Sequence, residues 1–178
     1  RVVNGRILFK GDDIVGLPEQ DMHRFRGKRI AMIFQDPMMT LNPVLTIGTQ
    51  MVETLKAHRQ LSTKEAKKIS LEKLENVRIP SPNKRLNQYP HEFSGGMRQR
   101  IVIAISLLND PDVIIADEPT ANLDSKSAST LLDIMQQLNE KERITFLFST
   151  HDQRVIDRAR RVVTLTDGKI TEDKRVDA

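Results

Sequence analysis

The sequence contains no cysteine and no tryptophan, and its only aromatic residues are one tyrosine and six phenylalanines. Without cysteine the chain cannot be a disulfide scaffold, and this composition fits a reducing compartment. Because aromatic residues are scarce, a core must be built mainly from Ile, Leu, Val and Met. The 178 residues, 38% of them hydrophobic, are enough for one core, so we expect a single domain.

Long hydrophobic runs and a strong charge imbalance are also absent. The longest apolar stretch, 101–108, is interrupted by Ser106 and is far shorter than the roughly 20 residues that a membrane-spanning helix needs. Any membrane role is therefore expected to depend on a partner. Basic residues exceed acidic residues by 28 − 24 = 4, but they are scattered and not interleaved with aromatic residues. We therefore expect an ordinary solvated surface and no nucleic-acid partner.

Two short segments carry the strongest chemical signal. Ser94-Gly95-Gly96 opens a helical pattern, and a glycine-rich turn at a helix start offers an anion free N–H groups and the positive end of the helix dipole. The apolar run 113–116 predicts a buried strand that ends at Asp117-Glu118, an adjacent carboxylate pair suited to Mg²⁺ and water. Either segment alone is common, but together they indicate nucleoside triphosphate chemistry.

Hydrophobic periodicity predicts the α/β fold class. The second half alternates between strand and helix patterns, which is typical of a mainly parallel sheet. Residues 79–93 contain three prolines and predict a structured loop. We expect strands over 4–13, 29–34, 112–116, 144–149 and 160–166, with a short final strand after 168, and helices over 18–25, 46–58, 62–77, 95–108, 125–141 and 152–159.

Three polar residues directly follow predicted strands. Gln35, Asp117 and His151 each stand just past the end of an apolar run. Ligands of parallel sheets bind at the carboxyl ends of the strands, so we expect these residues to share one site.

Five segments, in this order along the chain, resemble the motifs of ATP-binding cassette (ABC) ATPases. They are the Q-loop at 32–37, the signature motif at 94–100, the Walker B strand at 113–118, the D-loop at 121–124 and the switch-histidine loop at 149–152. The resemblance implies a P-loop NTPase-like α/β fold with a mainly parallel sheet and an inserted helical subdomain. It places the catalytic core at 1–35 and 101–178, and the helical subdomain with the signature motif at 36–100.

The resemblance also implies roles for the residues at the strand ends. Asp117 would hold the Mg²⁺ that bridges the terminal phosphates of ATP, and Glu118 would orient and deprotonate the attacking water. His151 would hydrogen-bond the γ-phosphate and hold Glu118. Gln35 would touch the metal and its water shell.

A second set of implied roles concerns partners. Ser94, Gly95 and Gly96 would bind the phosphate of a nucleotide held by a second cassette, and Asp124 would lie across that interface. The family's usual Gln after the second Gly is Met97 here. Transmembrane permease subunits would be the other partners, and the protein would sit peripherally on the cytoplasmic face of the inner membrane.

The finer resemblance differs along the chain. Segments 35–43 and 89–100 resemble the ATPases of dipeptide and oligopeptide importers, whereas 121–124, 148–152 and 158–161 are more similar to lipoprotein-release and macrolide-export ATPases. Peptides are the expected cargo. Two alternatives stay open: a non-catalytic interaction module, and a DNA-repair type of ABC ATPase. The second is disfavoured because only 58 residues separate Gln35 from Ser94 and they contain no sustained heptad.

The phosphate-binding sequence Gly-x4-Gly-Lys-Ser/Thr is missing from these 178 residues. The two Gly-Lys pairs, Gly27-Lys28 and Gly168-Lys169, are not followed by Ser or Thr. We therefore expect the chain to begin after that loop and to be an incomplete cassette.

The 178-residue chain on its own is predicted neither to bind MgATP tightly nor to hydrolyse it. Sites of this type place most phosphate contacts on the loop's N–H groups and lysine, and those groups are absent from the sequence. Calorimetric titration with MgATP and a phosphate-release assay test this. Micromolar binding, or release that Glu118→Gln abolishes, would show that another segment supplies the phosphate contacts.

Overall fold

The computed structural model of the chain describes residues 4–175, in which it contains seven strands and seven α-helices. Two 3₁₀ turns, Pro37–Met39 and Pro90–Glu92, accompany them. In chain order the elements are β1 Leu8–Phe9, β2 Asp12–Asp13, α1 Glu19–Met22, β3 Ile30–Ile33, α2 Ile47–His58, α3 Thr63–Asn76, α4 Pro82–Arg85, α5 Gly95–Ser106, β4 Val113–Asp117, α6 Ser125–Glu142, β5 Thr145–Ser149, α7 Gln153–Ile156, β6 Arg161–Thr166 and β7 Lys169–Arg175.

A three-stranded parallel sheet in the order β3-β4-β5 lies at the centre of the molecule. The register aligns Ile33 with Ala116 and Ala116 with Phe148. One face of this sheet packs against α5 and α6, whose buried side chains are nearly all aliphatic. Parallel strands joined through helices give this arrangement, so the predicted α/β class is confirmed.

The carboxyl ends of the three strands lie side by side. Asp117 is the last residue of β4, while Gln35 and His151 each stand two residues beyond β3 and β5. Since the strands are parallel and hydrogen-bonded in register, the loops that follow them lie at one edge of the sheet. The three positions therefore lie at one edge of the sheet, and their sharing of one site stays a prediction.

Three sequence expectations need correction. The segment 4–13 was expected as one strand, but it forms the hairpin β1–β2, because Lys10 and Gly11 adopt positive φ values of 51° and 97° and turn the chain. Strand β6 was expected in the parallel sheet, yet within 4–175 it pairs only with β7, in antiparallel fashion. The helix expected over 152–159 is only Gln153–Ile156, followed by i→i+3 bonds from Arg158 and Ala159.

The segment between β3 and α5 is mostly helical. Helix α3 begins with a capping box, in which Ser62 and Glu65 hydrogen-bond each other's backbone N–H. The stretch 79–93, expected as a loop, contains α4 and the 3₁₀ turn Pro90–Glu92. The division between core and helical subdomain placed at residue 100 falls inside the continuous helix α5, and it remains a proposal.

Gly48 joins the start of α2 to the loop after α4. Its N–H donates to the Leu86 carbonyl at 2.7 Å, and the neighbouring Ile47 N–H donates to the Gln88 carbonyl at 2.9 Å. A β-carbon on Gly48 would lie 2.7 Å from that same Leu86 oxygen. The close approach of two backbone segments therefore requires glycine here.

Gly48→Ala is predicted to lower the free energy of unfolding by about 1–3 kcal/mol, because a backbone atom cannot move aside as a flexible side chain can. Urea unfolding followed by circular dichroism measures this. Gly95→Ala is the matched control, since its β-carbon would meet no atom within 4 Å. That control should be neutral or stabilise the protein by up to about 1 kcal/mol, the usual helix preference for Ala over Gly. Equal effects of the two changes would contradict the packing argument.

Candidate functional site

Glu118 lies directly after β4 and is held in an uncommon backbone conformation. Its φ is 42°, in the left-handed region, and its N–H donates to the Ser149 carbonyl at 2.9 Å. That hydrogen bond extends the pairing between β4 and β5 by one residue. Non-glycine residues adopt such angles rarely and at some energetic cost, so the position of this carboxylate is set by its surroundings.

Three hydrogen-bond donors from one short segment converge on the Glu118 carboxylate. The Thr150 hydroxyl donates to Oε2 at 2.9 Å, and the His151 N–H donates to Oε1 at 3.2 Å. The His151 Nδ1 atom lies 2.5 Å from Oε1. An ionised carboxylate only accepts hydrogen bonds, so this contact places a proton on Nδ1.

These donors set the protonation of Glu118. Partial burial by itself raises the pKa of its carboxyl, but the hydrogen bonds from His151 and Thr150 outweigh that effect, and the net pKa lies below the ordinary value for glutamate. Glu118 is therefore ionised at neutral pH. Its side chain is 20% exposed, whereas the His151 side chain is 89% exposed.

A second bridge ties the same two loops together. The hydroxyl of the buried Thr120 donates to Asp152 Oδ2 at 2.7 Å. Asp152 also caps α7 and forms a two-pronged ion pair with Arg154. The hydrogen bonds from Arg154 and Thr120 hold the pKa of Asp152 well below its usual range. The loop after β4 and the loop after β5 are thus joined at two places.

Asp117 and Gln35 offer oxygen ligands at adjacent strand ends. The half-buried Asp117 carboxylate makes no side-chain hydrogen bond to any residue in 4–175. In that same range no group of three or more His, Cys, Asp or Glu side chains is arranged to hold a metal. Mg²⁺ typically takes one or two protein carboxylates and completes its shell with water and phosphate oxygens. One carboxylate and one amide oxygen therefore fit Mg²⁺ better than a metal held by protein ligands alone.

The glycine-rich turn begins helix α5. Ser94 is the cap residue and accepts a hydrogen bond from the Met97 N–H at 3.4 Å. Ser94 and Gly95 are exposed, and open space surrounds the position where a Gly95 β-carbon would lie. The start of α5 is therefore open to solvent at Ser94 and Gly95, which is what an anion-binding helix start requires.

Helix α6 begins beside the same turn. Asp124 caps it through hydrogen bonds from the Ser127 N–H at 2.9 Å and the Ser127 hydroxyl at 2.6 Å. A β-carbon on Gly96 would lie 3.0 Å from that hydroxyl oxygen, so the two helix starts pack closely. The glycine-rich turn and Asp124 form a second cluster, separate in its hydrogen bonds from the one around Glu118.

A cleft of about 290 Å³ lies beside the glycine-rich turn. Residues from the Q-loop, the start of α5 and the loop after β4 line it. Within 4–175, the buried Nε of Arg98 and Nε2 of Gln99 have no hydrogen-bond partner. The residues that line the cleft include Gln35, Gly95, Arg98, Gln99, Pro119 and Asn122.

The structure brings some predicted residues together and leaves others apart. Glu118 and His151 are in direct contact, and Gln35 and Gly95 line one cleft. No hydrogen bond joins Asp117 to any other predicted site residue in the described part of the chain. Sequence reasoning missed Thr150, Thr120 and Asp152. The available signal was the presence of hydroxyl and carboxylate side chains inside or beside the recognised motifs. Their hydrogen-bond partners are distant in sequence, so this signal does not identify them.

Comparison with known proteins gives a family and close relatives. Residues 1–121 match the family model described as ABC transporter. The chain is 49% identical to the oligopeptide transport ATP-binding protein OppD of Bacillus subtilis over 97% of its own length and 49% of the relative's. It is 47% identical to the dipeptide transport ATP-binding protein DppD of the same organism, over 97% of the chain and 52% of that protein. The chain thus spans about half the length of these curated relatives.

Solved structures agree with this result. The chain resembles the ATP-binding cassette MJ0796, in its dimeric post-hydrolysis state bound to ADP and Pi, with a TM-score of 0.86 and 28% identity. That likeness covers 99% of the chain and 75% of MJ0796. A second neighbour is cbiO1 from Clostridium perfringens, with a TM-score of 0.84, 25% identity and coverage of 97% and 66%. In residues 4–175, no helix is long and apolar enough to span a membrane.

Asp152→Asn is predicted to destabilise the protein at neutral pH and much less in acid. The folded-state pKa lies below the unfolded value of about 4, so the stabilisation is complete above that value and fades as pH falls through the folded pKa. We expect a loss of about 1–2 kcal/mol at pH 7. Urea unfolding from pH 7 to pH 2 measures the change.

Asp12→Asn serves as the control, because Asp12 is exposed and forms no side-chain hydrogen bond or ion pair within the described residues. Its effect should be small at every pH. A penalty for Asp152→Asn that stays constant across the range would mean that the ionised carboxylate is not its source.

Proposed function

Because this chain belongs to the ABC transporter family, we propose that it forms part of the ATP-hydrolysing subunit of a transporter that imports peptides. Its relatives named for oligopeptide and dipeptide transport match along 97% of the chain, including the last third. The MJ0796 neighbour carries ADP and Pi. These likenesses support ATP as the ligand and peptides as the cargo.

One observation supports hydrolysis above all: Glu118 is an ionised carboxylate fixed at the carboxyl end of the central strand. A general base needs a defined position next to the attacking water and a basic form at working pH. The contacts from Thr150 and His151 provide the position, and the lowered pKa of Glu118 keeps it ionised. In the proposed mechanism Glu118 accepts a proton from water as the water oxygen bonds to the γ-phosphorus, and the bond from that phosphorus to the β–γ bridging oxygen breaks, so that ADP leaves.

Asp117 and Gln35 are proposed to hold Mg²⁺ beside this base. When bound, Mg²⁺ supplies charge neutralisation on the phosphate oxygens. Asp117 would contribute the carboxylate that holds the metal. Gln35 contributes an amide oxygen from the neighbouring strand end.

His151 is proposed to exchange partners during the cycle. Its ring is mostly exposed and contacts Glu118 through Nδ1 alone, so rotation of the side chain frees it at little cost. A hydrogen bond to the γ-phosphate then replaces the bond to Glu118. In this way nucleotide binding removes the ring contact from Oε1, while the His151 backbone N–H still donates to that oxygen.

The exposed glycine-rich turn is proposed to contact a partner protein. Ser94, Gly95 and Gly96 are proposed to bind the nucleotide phosphate of a second cassette, with Asp124 at the shared interface. The dimeric form of MJ0796 supports such a pair. Permease subunits and a peripheral position on the cytoplasmic face of the inner membrane complete the proposal, and they rest on the transport functions named for the relatives.

Glu118→Gln is predicted to abolish nearly all ATP hydrolysis while leaving ATP binding intact. The sequence contains no Gly-x4-Gly-Lys-Ser/Thr run, so the assay uses the whole chain joined behind such a segment of the family type. Glutamine keeps the size and polarity of the side chain but cannot accept the proton. We expect the rate to fall at least about 100-fold, the typical share of a general base. Phosphate release and equilibrium ATP binding are the two measurements.

Glu53→Gln on the exposed surface of α2 is the matched control and should keep the parent rate. ATP binding without any hydrolysis by the parent protein would favour the non-catalytic interaction module. Hydrolysis by Glu118→Gln near the parent rate would show that another group acts as base.

A further inference from the structure

The Glu118 carboxylate has two kinds of support that differ in mobility. Oε1 is bound by the ring of His151, whose side chain is 89% exposed, and by the His151 backbone N–H at 3.2 Å. Oε2 is bound by the hydroxyl of Thr150, a half-buried side chain in the loop that leaves β5. Rotation of an exposed ring is easy, whereas the hydroxyl of a β-branched residue has few alternative positions. The two oxygens of one carboxylate are therefore not equivalent.

The direction of the Thr150 hydrogen bond is fixed by a second contact. Its oxygen accepts a hydrogen bond from the Asp152 N–H at 3.0 Å. A hydroxyl has a single proton, and an ionised carboxylate can only accept. With the Asp152 amide donating to the oxygen, the hydroxyl proton points at Glu118, 2.9 Å away.

Asp152, which supplies this backbone N–H, is itself held by the loop that carries Glu118. The Asp152 side chain accepts a hydrogen bond from Thr120, which is only 1% exposed and lies two residues after Glu118. The hydrogen bonds run from Glu118 to Thr150, from Thr150 to Asp152 and from Asp152 to Thr120, and the backbone between Thr120 and Glu118 closes the circuit. A circuit of buried and half-buried hydrogen bonds resists displacement of any one member.

We propose that Thr150 is a positioning residue that anchors Glu118 through Oε2, while His151 is the exchangeable partner at Oε1; this inference rests on the proposed function of Glu118 as base. When the ring of His151 turns to another partner, the hydroxyl of Thr150 at Oε2, together with the His151 backbone N–H at Oε1, keeps the carboxylate aimed. Thr120 and Asp152 keep Thr150 in place. The active orientation of the base then survives the loss of its histidine contact.

The test compares Thr150→Val with Thr150→Ser in the same joined protein used for Glu118→Gln. Valine has the shape of threonine without the hydroxyl, and serine restores the hydroxyl without the methyl group. For Thr150→Val we expect kcat to fall about 10- to 100-fold with an unchanged KM for ATP, because misplacing a catalytic group by about 1 Å can cost 100-fold. Thr150→Ser should return kcat to within about threefold of the parent, as expected when the hydroxyl is the working group. Thr145→Val, exposed on β5, the strand that precedes Thr150, is the control and should match the parent.

Further variants separate positioning from general structural support. In the Glu118→Gln background, Thr150→Val should leave the residual rate unchanged, because no base is left to orient. If Thr150→Val does not fold, as judged by its thermal transition, Thr120→Val interrupts the same circuit one step away. It should then lower kcat without raising KM.

Several results would overturn the inference. One is a Thr150→Val variant with the parent kcat, and another is a Thr150→Ser variant as impaired as the valine, which would assign the effect to the methyl group. A raised KM with unchanged kcat would place Thr150 in nucleotide binding instead. If the parent hydrolyses ATP and Glu118→Gln does not, these results refute the Thr150 inference alone. A parent without Glu118-dependent hydrolysis would overturn both this inference and the proposed function.

Discussion

The parallel pairing of β4 between β3 and β5 is the constraint on which the rest of this molecule depends. It brings three chain segments that are far apart in sequence to one edge of a sheet. The pairing does not stop at the last residue of β4, because the Glu118 N–H still bonds the Ser149 carbonyl. That extra bond holds Glu118 at a φ of 42° and aims its side chain at the loop after β5. Backbone pairing thus positions the Glu118 carboxylate directly.

Support for the candidate base is divided between fixed and mobile contacts. The fixed part runs through Thr150, Asp152 and Thr120, and it ties two loops together by short hydrogen bonds. The mobile part is the exposed ring of His151. A base that must stay oriented while one of its neighbours changes partner needs both kinds of contact. The close spacing of 150, 151 and 152 allows one loop to supply them.

Helix α5 connects the sheet to the helical segment before it. Its start forms the exposed glycine-rich turn, whereas its later residues, such as Ile101 and Ile103, are fully buried in the core. Arg100, near the middle, donates to the carbonyls of Val77 and Arg78 after α3. A ligand held at the turn would therefore act on an element that is rigidly packed at its other end. The cleft beside Gln35 and Gly95 lies where these parts meet.

The linear sequence determined the elements whose signals are local. Apolar runs marked β3, β4 and β5, the Ser62–Glu65 capping box marked α3, and the glycine-rich turn marked α5, since each depends on neighbouring residues only. It also indicated that Gln35, Asp117 and His151 would share a sheet edge. Tertiary structure alone decided that β6 stays out of the parallel sheet within 4–175, because strand partners in such a sheet are chosen by long-range packing and not by strand propensity. It alone also decided that Thr150 faces Glu118 and that Thr120 faces Asp152. Those contacts join positions 32 residues apart in each pair, and only the register between β4 and β5 brings them within hydrogen-bond distance.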